Sequence, residues 1–157
     1  MMKRILIEKE KRCLTVFDAE GQRLLHCRIA LGKAPVGRKK CEGDGKTPEG
    51  SFYVCTKNPN SKFHLALGVS YPDENAAQEA LEKGRITSQQ FDSIVSAQRN
   101  KKRPPWDTPL GGFIMIHGEH PDDKTGDWTA GCVAVTNTEM EILFAAAQLG
   151  DEIDILP

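Results

Sequence analysis

The feature that most constrains the fold of this chain is a series of short apolar runs within its first seventy residues. The runs are rich in β-branched and aromatic residues, and most of the turns or loops between them contain Gly, Pro or Asp. Short runs bounded in this way predict β-strands. The five predicted strands cover residues 4–7, 13–17, 23–31, 51–56 and 63–69. Short connections join the first three, which is typical of an antiparallel meander.

The second half of the sequence adds helices to this pattern. Residues 75–83 are rich in Ala and Glu and stop at a Gly, and residues 87–100 open with Thr and Gln at the spacing of a capping box. Together they predict a helical insertion over residues 73–103. Further predictions are strands at 113–116, 133–135 and 151–156, and a helix from Thr136 or Asn137 to Gly150. The sequence thus predicts a mainly β, sandwich-like fold with a helical insertion and a C-terminal helix, in one domain over residues 1–157.

Composition and charge argue against several classes of partner. The 157 residues have a formal net charge of −1 and no basic stripe, so nucleic acid is not expected as a partner. No apolar run is long enough to span a bilayer. Charged residues interrupt the first twelve positions, so no secretory signal is visible and a cytoplasmic location is expected for the chain as written. A periplasmic or cell-wall-facing location is the alternative if a leader has been removed.

The five cysteines form no CxxC pair, which argues against a zinc or redox site. Cys13, Cys27 and Cys55 stand among apolar residues and are expected to be small buried side chains. Cys41 lies in a polar, Gly-rich loop and is expected to be exposed. The fifth, Cys132, lies in the segment of the chain that carries the most chemical information.

That segment joins a histidine and a cysteine at the ends of two predicted strands. His117-Gly118 follows an apolar run, and Gly131-Cys132 comes fifteen positions after the histidine, just before a second short strand. Neighbouring strands would place the imidazole beside the thiol, and a nearby imidazolium lowers the pKa of a thiol and so favours the nucleophilic thiolate. The backbone N–H groups of Gly131 and Cys132 could then face a developing oxyanion. The spacing alone leaves a purely structural role open, because such sites are defined by geometry.

Several motifs resemble the L,D-transpeptidase (YkuD-type) catalytic domain. The signature lies in Ile116-His117-Gly118 and in residues 127–137, DWTAGCVAVTN, which is similar to a DWTxGC variant of the family. Residues 30–33, residues 43–50 with Phe52, residues 58–64 and residues 70–72 also resemble family segments. The resemblance extends from about residue 4 to the C-terminus.

The resemblance implies a β-rich fold and a cysteine nucleophile that acts on murein stem peptides at a bond between an L-configured centre and a D-amino acid. By position, Cys132 would be the nucleophile and His117 the general base, and the Gly118 carbonyl would hold His117. Gly131 and Cys132 would supply the oxyanion N–H groups. The sequence departs from the common pattern at Ala130, where the family commonly has His, and at Ala134, where it commonly has Arg.

The substrate groove is expected to include Trp106, Trp128, Thr129 and Ala130. Trp106 follows two prolines in a loop, which favours partial exposure. No cofactor and no metal are expected. His120 lacks the helical spacing of the common zinc hydrolase motif and is interpreted as a surface residue.

Three functions remain open at this point. The first is an acyl-transfer enzyme that uses an amine acceptor (transpeptidase, a transferase) or water (L,D-carboxypeptidase, a hydrolase). The second is a non-catalytic muropeptide-binding domain of the same fold, which the alanines at 130 and 134 favour. The third is a cysteine peptidase for ordinary L,L peptides, which nothing beyond the Cys and His pair supports.

Overall fold

A computed structural model describes residues 2–157 and shows a mainly β fold, as predicted. Within this range the chain has eight strands and three helices. The strands are β1 Met2–Glu8, β2 Cys13–Asp18, β3 Arg23–Arg28, β4 Gly50–Ser61, β5 His64–Val69, β6 Met115–His117, β7 Val133–Ala134 and β8 Glu152–Leu156. The helices are α1 Glu74–Glu82, α2 Ser88–Arg99 and α3 Asn137–Ala146. Within residues 2–157, no helix combines the length and apolar character needed to cross a membrane.

The strands form one sheet in the order β3-β2-β1-β8-β4-β5-β6-β7. The first three strands make the predicted antiparallel meander. Strand β8 inserts between β1 and β4 and runs parallel to β1, and β6 runs parallel to β7. These two parallel pairs lie outside the predicted meander, and long connections bring their strands together.

The sheet curls until its two edges meet. Ala30, just after β3, exchanges two backbone hydrogen bonds of 2.9 Å with Ala134 in β7. The curled sheet encloses a core of fully buried apolar side chains. They include Ile5, Ile7, Leu14, Leu67, Ile116, Val133, Met140 and Ile153. This closure places β7, and the turn that precedes it, against the loop that follows β3.

The helical insertion is fixed to the ends of the strands by polar contacts. The Gln98 side-chain amide donates to the carbonyl oxygens of Ser70 at 2.6 Å and Pro72 at 3.0 Å. The Tyr53 hydroxyl in β4 donates to the Lys102 carbonyl at 2.6 Å. The predicted capping box at Thr87 is present. Local capping therefore starts α2, and these tertiary hydrogen bonds hold it against the sheet.

Several element boundaries and exposures differ from the sequence predictions. Strand β4 continues to Ser61 through Pro59, because its register shifts there and only β5 pairs with this part of the strand. Helix α3 ends at Ala146 rather than Gly150. Cys41 and Cys55 are half-buried, so the former is less exposed and the latter less buried than expected.

Gly32 lies where three backbone segments meet. A Cβ at this position would collide with the Gly45 carbonyl oxygen and would lie 2.9 Å from the Cα of Gly131. Gly43 in the same loop has a φ of +80° but open space around it. Gly32→Ala is expected to lower the free energy of unfolding by about 2–3 kcal/mol, since backbone must move to admit the methyl group.

The matched control is Gly43→Ala. Its left-handed backbone alone is expected to lower the free energy of unfolding by about 1 kcal/mol. Urea unfolding followed by circular dichroism would measure both variants. If both variants lost the same free energy of unfolding, the backbone around Gly32 would not be tightly packed.

Candidate active site

His117 ends β6 in a nearly closed aromatic environment. Its side chain is 2% exposed. The ring stacks on Phe63 with centroids 4.3 Å apart and an interplanar angle of 23°, and Trp128 lies 5.5 Å away. A backbone hydrogen bond holds Gly118 against the residue that stacks on the ring, because the N–H of Gly118 donates to the Phe63 carbonyl oxygen at 2.8 Å. These contacts hold the imidazole in one orientation.

The tautomer of His117 follows from its hydrogen bond. Nδ1 lies 2.8 Å from the Gly118 carbonyl oxygen. A carbonyl oxygen only accepts, so Nδ1 carries the proton of the neutral ring and Nε2 keeps its lone pair. The His117 ring can therefore accept a proton at Nε2.

Cys132 lies in a turn just before β7, and its sulfur contacts the loop that leads into β6. The Met115 N–H donates to Sγ at 3.3 Å, and the thiol donates to the Phe113 carbonyl oxygen, also at 3.3 Å. The side chain is half-buried. In this arrangement the thiol proton is directed to a backbone carbonyl, while a backbone N–H is already in place to stabilise a thiolate.

The strand register places Cys132 and His117 on one face of adjacent strands. Ile116 pairs with Val133 and His117 pairs with Ala134 in the parallel β6/β7 ladder. Ile116 and Val133 point into the core and are fully buried. Cys132 directly precedes Val133, so side-chain alternation continued one residue beyond β7 sets it on the same face as His117.

Burial favours the neutral forms of both groups. It raises the pKa of the Cys132 thiol, although the Met115 N–H and, more weakly, Lys39 act in the opposite direction. It lowers the pKa of His117, against the effect of the Gly118 carbonyl. Burial therefore opposes a thiolate and imidazolium pair in the resting site, because it disfavours both charges.

The turn before Cys132 is held by Thr129. Its buried hydroxyl donates to the Cys132 carbonyl at 2.7 Å and accepts from the Gly131 N–H at 3.1 Å. The expectation that Gly131 offers its N–H to an oxyanion conflicts with this bond. Among the hydrogen bonds of residues 2–157, the Cys132 N–H has no partner, so it is the better candidate for that role.

The four residues expected to line the substrate groove have different environments. Trp106 is 5% exposed and packs beneath Phe113, so its predicted partial exposure is wrong. Thr129 is buried, and its hydroxyl is engaged in the turn. Ala130 is exposed and Trp128 is half-buried. A cavity of about 480 Å³ lies beside Trp128 and Ala134.

Two residues near the sulfur or the imidazole were not identified from the sequence. Phe63 forms the stacking surface of His117. Phe113 was assigned to a buried strand, but it lies before β6, has a φ of +55° and is exposed. The Gly111-Gly112 pair that precedes it is the one sequence signal that could have suggested an irregular backbone there.

The remaining candidates are engaged in structural contacts. Asp127 forms a bidentate ion pair with Arg12, and its carboxylate accepts a hydrogen bond from the Leu31 N–H at 3.1 Å. His120 accepts from the Asp122 N–H at 2.9 Å. Within the described part of the chain, no group of three or more His, Cys, Asp or Glu side chains is arranged to hold a metal ion. Asp127 thus ties the loop before Cys132 to the meander.

Solved structures with a similar fold include Pgp2, a helical cell shape determining protein from Campylobacter jejuni. Its TM-score is 0.69 at 23% identity, covering 98% of this chain and 47% of that chain. Bd1075 from Bdellovibrio bacteriovorus has a TM-score of 0.63 at 25% identity, covering 98% and 47%. L,D-transpeptidase 1 from Mycobacterium tuberculosis has a TM-score of 0.55 at 16% identity, covering 99% and 61%. The chain thus spans about half to three-fifths of the length of these proteins.

Sequence comparison gives the family directly. A comparison with curated protein sequences found no match. The YkuD family model, described as the L,D-transpeptidase catalytic domain, matches residues 2–155, which is almost the whole chain. This chain therefore belongs to the YkuD family of L,D-transpeptidase catalytic domains.

Proposed function

We propose that this protein is a cysteine-nucleophile acyl-transfer enzyme that acts on murein stem peptides at a bond between an L-configured centre and a D-amino acid. The observation that carries the proposal is the shared face of Cys132 and His117 on adjacent strands, with Nε2 of the imidazole free to accept a proton. Family membership supports the substrate class. We also assign the chain to the DWTxGC variant of the family, from residues 127–132.

In the acylation step, the Cys132 thiol leaves the Phe113 carbonyl and gives its proton to Nε2 of His117. Sulfur forms a bond to the carbonyl carbon on the L side, and the π electrons move to oxygen, which the Cys132 N–H stabilises. When the C–N bond breaks, Nε2–H of His117 protonates the departing D-amino acid. A thioester on Cys132 remains.

In the deacylation step, His117 takes a proton from the acceptor as it attacks the thioester. The C–S bond breaks, and the sulfur is reprotonated from His117. An amine acceptor gives transpeptidation, and water gives L,D-carboxypeptidase activity. A cell-wall-facing location would supply cross-linkable acceptors, whereas a cytoplasmic one would supply soluble muropeptides and favour hydrolysis.

The test is incubation with a murein tetrapeptide, with and without an added D-amino acid acceptor, followed by mass spectrometry. We expect release of the terminal D-residue and a transient acyl adduct on the proteolytic fragment that contains Cys132. An all-L tetrapeptide serves as the control substrate and is expected to remain intact. Product release with the adduct on another cysteine would contradict the assignment of the nucleophile.

A non-catalytic muropeptide-binding domain is the second candidate. The observation that favours it is the thiol hydrogen bond to the Phe113 carbonyl, which directs the proton of Cys132 away from His117. Labelling with iodoacetamide separates the two candidates. A catalytic Cys132 should react much faster than the other four cysteines, because Nε2 of His117 is free to take its proton. Equal rates would favour the binding domain.

A further inference from the structure

Phe113 presents an aromatic ring to solvent directly beside the proposed nucleophile. Its side chain is 62% exposed. Its own carbonyl oxygen lies 3.3 Å from Sγ of Cys132. A large apolar side chain that is this exposed gains little from folding, and its apolar surface stays available to another molecule.

The backbone at Phe113 is held in a conformation that a bulky residue rarely adopts. Its φ is +55°, and that of Gly111 is +83°. A left-handed conformation costs an L-residue about 1–2 kcal/mol, and such strain persists where the surrounding structure imposes it, often at functional sites. Here the conformation points the carbonyl at Cys132 and leaves the ring outside the core.

Trp106 supports the ring from below. The two ring centroids are 4.7 Å apart with an interplanar angle of 54°, and the Arg103 guanidinium lies 4.8 Å from the indole centroid. The Trp106 Nε1 is the one buried side-chain nitrogen or oxygen without a hydrogen-bond partner in residues 2–157. Leaving a buried donor unpaired costs about 1–3 kcal/mol. The indole is therefore kept in this place at the expense of stability, which fits a supporting role for Phe113.

We propose that Phe113 is a specificity-determining residue. In this proposal its ring forms the apolar wall on which the hydrocarbon part of a stem-peptide residue flanking the scissile bond packs, and Trp106 fixes the wall. The inference rests on the proposed function of Cys132. The Phe113 carbonyl oxygen lies 3.3 Å from Sγ and one extended residue spans about 3.3–3.6 Å, so a residue next to the attacked carbonyl carbon can reach the ring. The contacting group therefore belongs to a residue adjoining the scissile bond.

The first test measures binding of a murein tetrapeptide by calorimetry, in a Cys132→Ala background that prevents turnover. Phe113→Ala is expected to raise Kd roughly ten- to a hundredfold, the loss expected when an aromatic contact is removed, and Phe113→Leu is expected to recover part of it. Leu149→Ala is the matched control, since Leu149 is 65% exposed but lies beyond α3. An unchanged Kd for Phe113→Ala, or no binding by the parent protein, would overturn the inference.

The second test separates a contact role from a structural one. With Cys132 present, Phe113→Ala is expected to leave the rate of iodoacetamide labelling within about twofold, because this small reagent does not need the wall. A parallel fall in labelling and binding would show that Phe113 only holds the thiol, and would overturn the inference.

Tetrapeptides with Ala at the L position or Gly in place of the D-residue identify which side packs on the ring. Binding that depends on Phe113 without any turnover would refute the proposed reaction and leave this inference standing.

Discussion

Replacing Cys132 with alanine is expected to reduce tetrapeptide turnover by roughly 10⁴-fold or more, since no thioacyl intermediate can form without the sulfur. The fold should survive, because the half-buried thiol makes only two hydrogen bonds of 3.3 Å, both with the backbone. Turnover is measured as release of the terminal D-residue by mass spectrometry, and folding by circular dichroism.

Cys41→Ala is the matched control for this variant. Cys41 is also half-buried and free, and its loop is held by backbone and Asp44 contacts that do not need the thiol. Its activity is expected to equal that of the parent protein. Turnover that survives in Cys132→Ala would refute the proposed mechanism, whereas equal losses in both variants would point to a shared effect on folding.

Replacing His117 with glutamine is expected to lower kcat/KM by about 10²–10⁴-fold, the usual contribution of a general base. Glutamine is close in volume to histidine but cannot accept a proton at neutral pH. The thiol would then have to ionise unaided at a position where burial raises its pKa. His26→Gln is the control, because His26 contacts Thr15 in the meander. Near-normal kcat/KM in His117→Gln would exclude this histidine as the base.

The pH profile gives an independent check on His117. Burial lowers its pKa from the ordinary value of 6.5. Only the neutral ring can accept the thiol proton, so activity is lost as the pH falls through that lowered pKa. The acid limb of kcat/KM should therefore lie below pH 6.5. An acid limb above this value would indicate that a different group, or an imidazole stabilised in its charged form, controls the reaction.

Much of the secondary structure follows from local patterns. Strand-forming runs predicted the meander, and the Thr87 and Thr136 capping boxes marked the starts of α2 and α3. The sequence also predicted that the strands beside His117 and Cys132 are neighbours, as β6 and β7 are. These features depend on residues close together in the chain, which a sequence shows directly.

Other features depend on distant segments. The apolar stretch at Phe113 resembles a buried strand, but its left-handed backbone arises in a loop packed on Trp106 and Glu42. The sequence also assigned Thr129 to the substrate, whereas a turn that folds back on itself engages its hydroxyl. The exposure of Phe113 depends on what packs against its segment, whereas the Thr129 turn is local but shares its residue types with a substrate-binding motif.

The sequence by itself determined the order and approximate positions of most strands and helices, the candidate residues for chemistry and, through its motifs, the family. The tertiary structure decided which N–H groups remain free at the turn before Cys132, the neutral resting state of Cys132 and His117, and the exposure of Phe113. The physical reason is that burial and hydrogen-bond partners are set only when the curled sheet closes at Ala30 and Ala134 and brings remote segments into contact.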